Sequence, residues 1–186
     1  MIDPTDEALI ESVRGGDQAA FGKLVDRYWD RVCHWLLRLS GSRHVAEDVT
    51  QEAFLKAWVA LPSYRPGVGF RAWLFRIARN AFVDVCRRRE AKSGGTEFES
   101  AVGREPDPAD AAQERELDET IERGVRELSQ EYRAPFLLRT VESMPFAEIA
   151  EVLDLNEDTV RWRVFKARQL LLNHLSANIA PKESIR

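Results

Sequence analysis

The chain has 186 residues, 44% hydrophobic and 31% charged, with 27 Lys+Arg against 31 Asp+Glu and a formal charge of −4. That length holds one or two small domains, and the composition excludes a collagen-like or wholly disordered chain. The mildly acidic total speaks against nucleic acid as a partner until the charge is resolved by segment.

No apolar run reaches the ~18–20 residues of a membrane helix, and the acidic stretch Met1 to Gly16 does not read as a secretory leader. Cys33 and Cys86 lie far apart, which suits a reducing cytoplasm rather than a disulfide framework. The Cys33-His34 pair lacks further ligands at zinc spacing, so no metal site is expected.

In chain order, Asp6 reads as the cap of a short helix from Glu7 to Arg14, ended by Gly15-Gly16. Asp17 opens a longer helix whose apolar residues, from Ala20 and Phe21 to Leu36 and Leu39, recur every three or four positions. Gly41 stops it, and Ser42 precedes a third helix with a stripe of Val45, Val49, Ala53, Phe54, Ala57, Trp58 and Leu61. A Pro- and Gly-bearing loop, Pro62 to Gly69, leads into a fourth helix from Phe70 to about Arg89. Ser93 to Ala112 then mixes Gly, Pro and acidic residues and reads as a flexible linker. Further helices are predicted over Gln113 to Leu128, Gln130 to Val141, Pro145 to Leu153 and Glu157 to about Ser176, with a frayed end beyond. No strand alternation and no repeat is seen. The expected fold class is all-α: two small domains of four helices each, joined by an acidic tether.

Charge is distributed unevenly over these elements. Arg65 to Lys92 carries +6, Ser93 to Glu122 carries −8, Arg123 to Asp158 carries −4, and Thr159 to Arg186 carries +5. Phosphate binding follows local cation density rather than the total, so two basic blocks reopen the nucleic-acid question.

The second basic block has the pattern of a helix-turn-helix. Pro145 to Leu153 forms a short amphipathic helix and Asp154-Leu155-Asn156 supplies a turn. In the helix that follows, Val160, Val164, Ala167 and Leu171 share one face and point inward. Arg161, Trp162, Phe165, Lys166 and Gln169 then face outward, with Arg163 and Arg168 on the flanks. Arginine suits guanine edges in the major groove, and aromatics pack on thymine methyls or sugars. A helical hairpin packed on a protein partner is the alternative. In the first block, the loop around Tyr64 and the helix with Arg71, Trp73, Phe75, Arg76, Ile77, Arg79, Asn80, Arg87 and Arg88 interleave cations with aromatics. That composition serves single-strand binding, although Trp73, Leu74 and Ile77 also stand at core spacing.

Together these segments resemble the extracytoplasmic-function group of RNA polymerase sigma factors in the sigma-70 family. The motifs that carry the resemblance are Asp17 to Phe21, Ala46 to Phe54, Phe70 to Asn80, Glu148-Ile149-Ala150 and Thr159 to Arg168. They occur in the family's order and span roughly Asp6 to Leu175. The resemblance implies residues 6–90 as region 2, for core polymerase and the −10 element, 91–112 as linker, and 113–176 as region 4, for the −35 element. It implies a non-catalytic promoter-specificity subunit, with core RNA polymerase (β′ clamp and β flap), promoter DNA and an anti-sigma factor as partners, in the bacterial cytoplasm. No cofactor, small-molecule substrate or membrane insertion is implied.

By the same resemblance, Asp48, Gln51, Glu52, Phe54 and Lys56 would contact polymerase. Tyr64 and Asn80 would enclose a flipped −10 base, with Phe75 and Ile77 as walls. Arg71, Arg76, Arg79, Arg87 and Arg88 would hold its backbone, and Arg161, Trp162, Arg163, Phe165, Lys166 and Arg168 would read −35 DNA. The acidic linker would thread toward the polymerase cleft. Pro145, Asp158 and Trp162 depart from the family's usual residues and bear on the exact −35 sequence. A stand-alone helix-turn-helix regulator and a protein-binding adaptor are the other readings. An enzyme is disfavoured, because no phosphate loop, metal cluster or nucleophile motif is present and His34, His44 and His174 are scattered.

Overall fold

The computed structural model describes residues 3–67, 69–93 and 112–179. Among these there are eight α-helices and no strand: α1 (Asp6–Arg14), α2 (Gln18–Ser40), α3 (Arg43–Ala60), α4 (Phe70–Ser93), α5 (Ala112–Glu127), α6 (Gln130–Thr140), α7 (Phe146–Leu153) and α8 (Glu157–Ile179). A 3-10 turn, Leu61–Ser63, follows α3. The expected linker falls largely outside the described residues, except for Ser93 and Ala112, which are helical.

Capping explains most of the boundaries. The Asp17 carboxylate accepts from the Ala19 amide at 3.0 Å, and the Ser42 hydroxyl oxygen accepts from Val45 at 3.5 Å. Gly41 ends α2 at φ 68°, a left-handed conformation that costs glycine no Cβ clash. The first cap differs from expectation. Thr5 accepts from the Ala8 amide, because Asp6 is drawn elsewhere. Its carboxylate takes a 2.5 Å bond from Arg27 and another of 2.5 Å from the Tyr28 hydroxyl, tying α1 to α2.

In the N-terminal half, α2, α3 and α4 enclose Leu24, Val32, Trp35, Ala53, Ala57, Leu74 and Phe75. Trp35 and Phe75 lie with ring centroids 5.5 Å apart, and Trp29 stacks on Phe54. In the C-terminal half, Leu137, Leu138, Met144, Ile149 and Val152 pack under Val160, Val164 and Ala167. Small residues on α3 (Ala53, Ala57) and α8 (Ala167) let neighbouring helices approach closely.

The two halves are not held apart. α4 packs on α7 and α2 on α6, and the buried apolar residues form one continuous cluster. Arg31 meets the buried Glu142 at 2.7 Å, Arg38 meets Glu122 at 2.6 Å, and Arg71 meets Glu148 at 2.5 Å. Arg133 of α6 donates to the Leu39 carbonyl of α2 at 3.1 Å. The periodicity of each helix predicts its own buried face. It does not predict that the two faces would share a core.

Burial and the Asp6 carboxylate push the Tyr28 phenol well above its ordinary pKa. The folded chain therefore holds this proton more tightly than the unfolded chain. Its contribution is complete below about pH 10 and declines above that, where the unfolded phenol ionises first. Tyr28→Phe should be about 1.5 kcal/mol less stable at neutral pH through loss of a hydrogen bond to a charged partner. In urea unfolding it should lose less stability than the parent as pH rises past 10. Equal alkaline losses in both chains would contradict this account.

Candidate nucleic-acid interface

Three surfaces carry the residues singled out by sequence. On the first, the loop after α3 and the start of α4 form a cleft of about 260 Å³, lined by Tyr64, Arg65, Gly67, Gly69, Ala72, Trp73, Arg76 and Glu151. Gly69, at φ 93°, turns the chain into α4, a conformation glycine adopts readily. The Tyr64 ring stands 5.1 Å from that of Trp73 and 6.0 Å from that of Phe70. Its hydroxyl is buried and has no hydrogen-bond partner among the described residues, an unsatisfied polar group at the base of the aromatic cluster. Burial, and then the carboxylates of Glu7 and Asp6, push this phenol upward, so it is a neutral donor near pH 7. Arg14 holds the Tyr64 carbonyl from below.

The other residues expected on this face lie at different depths along α4. Phe75 is fully buried against Trp35 and belongs to the core, not to a pocket wall. Asn80 is exposed and accepts a 3.1 Å bond from Arg79, further along α4 than the residues lining the cleft. One and a half turns separate Phe75 from Asn80, so they leave α4 on different faces. Ile77 is half-buried and also lies off the cleft. Trp73 and Arg65 line it, although neither is among the residues expected to enclose the base. Trp73 stands at core spacing, and Arg65 sits in a loop without periodicity. Arg71 and Arg76 are turned toward Glu148 and Glu151 of α7. Arg87 and Arg88 remain exposed at the far end of α4, where Arg88 approaches Glu52 at 3.5 Å.

The second surface is α8. The Asn156 side chain accepts from the Thr159 amide at 2.7 Å and starts the helix, after a left-handed Asp154 ends α7 at φ 56°. Val160, Val164, Ala167 and Leu171 are buried as the spacing predicts. Outward, Trp162 is 55% and Phe165 59% exposed, and Arg161 and Arg168 are exposed beside them. Lys166 is half-buried, and Arg163 lies 3.8 Å from Glu131. Two large aromatics open to water among cations on one helix make a face shaped for a ligand.

A third face lies on α3. Asp48 and Gln51 are exposed, while Glu52 and Lys56 pair with each other at 2.8 Å and reach α4 through Lys56 and Asp84 at 3.6 Å. Phe54 is 5% exposed and stacks on Trp29, so it is a core residue rather than a contact residue. Its neighbours Leu55 and Val59, 62% and 79% exposed, are the apolar side chains open on this face. Their signal in the sequence is that they are apolar and fall off the buried stripe.

Among the described residues no group of His, Cys, Asp and Glu can hold a metal ion, and no helix is long and apolar enough to cross a membrane.

Comparison with known proteins matches residues 24–92 to Sigma-70 region 2 and residues 118–171 to Sigma-70, region 4. The chain is 34% identical to the ECF RNA polymerase sigma factor SigW of Bacillus subtilis, over 89% of this chain and 94% of that one. It is 36% identical to the ECF RNA polymerase sigma-E factor of Escherichia coli K12, over 91% and 93%. Among solved structures, CnrH in complex with the cytosolic domain of CnrY aligns over 93% of this chain and 98% of that one, with a TM-score of 0.71 and 29% identity. The sigma factor RpoE bound to the anti-sigma factor NepR from Bartonella quintana shares the fold, with a TM-score of 0.72 over 85% of this chain and 98% of that one at 23% identity.

Because Asn156 supplies the cap of α8, Asn156→Ala should cost about 1 kcal/mol of stability while Asn156→Asp costs little. Urea unfolding of the three chains checks this, and equal losses for Ala and Asp would refute the capping role.

Proposed function

The chain belongs to the sigma-70 family, in its extracytoplasmic-function group, and we propose how its surfaces divide that family's work. It is a non-catalytic subunit that gives RNA polymerase its promoter specificity, and its partners are core polymerase and promoter DNA.

Residues 6–90 serve core binding and the −10 element, 91–112 link, and 113–176 serve the −35 element. The cleft of Tyr64, Trp73 and Arg65 takes an unpaired −10 base. Flipping a base costs a few kcal/mol of stacking, and an aromatic cleft with an unsatisfied hydroxyl offsets it. Arg71, Arg76, Arg79, Arg87 and Arg88 neutralise the strand beside it. Arg161, Trp162, Phe165 and Lys166 enter the major groove of the −35 element, with Arg163 and Arg168 at its phosphates. Asp48, Gln51, Glu52 and Lys56, joined by Leu55 and Val59, dock on the β′ clamp, and the C-terminal half meets the β flap. An anti-sigma factor regulates the chain in the bacterial cytoplasm, where polymerase works.

The observation that carries this reading is the pairing, on one chain, of an aromatic single-strand cleft on α4 with an exposed Arg-Trp-Phe-Lys face on α8. A stand-alone helix-turn-helix regulator needs only the second.

Run-off transcription with purified core polymerase on a promoter library tests it, and no initiation above core alone would refute it. In that assay Arg161→Ala should relax choice at one −35 position and lose about 1–3 kcal/mol there. Leu55→Asp with Val59→Asp should abolish holoenzyme assembly in pull-down while leaving the thermal melt unchanged. Both positions are exposed, so retained assembly would remove α3 from the polymerase contact.

A further inference from the structure

Phe146, the first residue of α7, carries two guanidinium groups on its ring. The Cζ of Arg161 lies 4.6 Å from the ring centroid and that of Arg139 lies 4.8 Å away. Arg139 is further fixed by a 2.8 Å bond from Nη1 to the Met144 carbonyl. Arg161 also pairs with Glu157, one turn earlier on α8. An arginine read against a base edge must present its fork in one pose, and a free side chain has many rotamers to lose. A ring face holds a guanidinium flat while leaving its N–H edges outward. We propose that Phe146 is a positioning residue for −35 reading, presenting Arg161 to the groove. This rests on the assignment of Arg161 to the −35 element.

The test uses holoenzyme made with the full chain, and promoters varied at the position Arg161 reads. Phe146→Leu keeps the apolar bulk and removes the ring face. It should reduce the preference for the favoured base about fivefold, within the range a base contact carries. Phe146→Tyr should retain the preference, and in an Arg161→Ala background Phe146→Leu should reduce it no further. A structural role would instead lower affinity equally on all promoters, with Leu and Tyr differing only in melting temperature. Undiminished preference in Phe146→Leu, or equal loss in Phe146→Tyr, overturns the proposal. Unchanged preference in Arg161→Ala alone overturns the assignment of Arg161, and the positioning role with it.

The interface between the halves carries a second inference independently. Four ion pairs cross it among the described residues, and all run one way. Arg31, Arg38, Arg71 and Arg76 stand on the N-terminal half, facing Glu142, Glu122, Glu148 and Glu151 on the C-terminal half. Glu148 and Glu151 meet cations of the α4 face, and Glu151 also borders the Tyr64–Trp73 cleft. Carboxylates there engage cations that would otherwise be open to phosphates. The outward face of α8 is left open, with Trp162 and Phe165 exposed. We infer that in the free chain α7 masks the −10 face and leaves the −35 face accessible. This rests on the reading of α4 as the −10 face.

Glu148→Gln with Glu151→Gln in the full chain keeps side-chain size and removes both charges. Fluorescence anisotropy would follow a labelled non-template −10 single strand, and separately a −35 duplex, both from a promoter recovered in run-off. Single-strand affinity should rise about tenfold as two competing charges leave the phosphate contacts, with duplex affinity unchanged. Glu151→Gln alone, at a half-exposed position, should give a smaller gain of the same kind. Unchanged single-strand affinity, or an equal gain on both probes, overturns the mask. If Arg71→Ala with Arg76→Ala initiates normally in holoenzyme that also carries Glu148→Gln and Glu151→Gln, where no carboxylate is left to release, the α4 assignment fails, and the mask with it.

Discussion

A buried guanidinium with no carboxylate beside it among the described residues sets the geometry of this chain. Arg133 is 6% exposed and donates to the carbonyls of Leu128 and Arg126 and to that of Leu39 across the interface. Those carbonyls lie at the C-terminal ends of α5 and α2, where helices leave acceptors unsatisfied and carry partial negative charge. Burial, and then Arg126, lower its pKa, but a guanidinium keeps its proton under any ordinary condition. The cation must therefore be solvated by those helix ends. It joins α5, α6 and α2 across the same interface at which α7 meets α4 and arginines face glutamates.

On that scaffold the functional faces separate by rigidity. The reading face of α8 projects from a helix seated on Val160, Val164 and Ala167, all buried, so its aromatics are presented by a fixed backbone. The cleft beside α4 is built half from helix and half from the loop Tyr64 to Gly69, whose turn rests on a left-handed glycine. A loop adapts to an unstacked base more readily than a helix face does, while a helix offers the constant spacing that a duplex groove requires.

Much of this was legible in the sequence, for physical reasons. Helix boundaries follow from Asp17, Gly41, Ser42 and Asn156, because a cap is a local interaction. The inward face of α8 follows from spacing alone. Phe54 and Phe75 differ from what the resemblance implies because a family motif carries a position in the chain and not the face a side chain takes, and Phe54 already falls on the apolar stripe of α3. The neighbours, Trp29 and Trp35, decide that face. Leu55 and Val59 escaped because an apolar stripe draws attention to what is buried rather than to what is left out. The docking of the halves depends on pairs such as Arg71 and Glu148, which are 77 residues apart. Its trace is present in part in the +6 and −4 segments, which two of the four pairs, Arg71–Glu148 and Arg76–Glu151, join across the interface.

That complementarity affects how any arginine scan of this chain is interpreted. Removing Arg71 or Arg76 takes away a cation that the promoter backbone would use, and also releases a glutamate that holds α7 down. The two effects act on initiation with opposite signs. A near-silent alanine variant on α4 therefore reports cancellation rather than irrelevance. Only paired substitutions, with arginine and glutamate removed singly and together, separate the contribution to DNA from the contribution to closure.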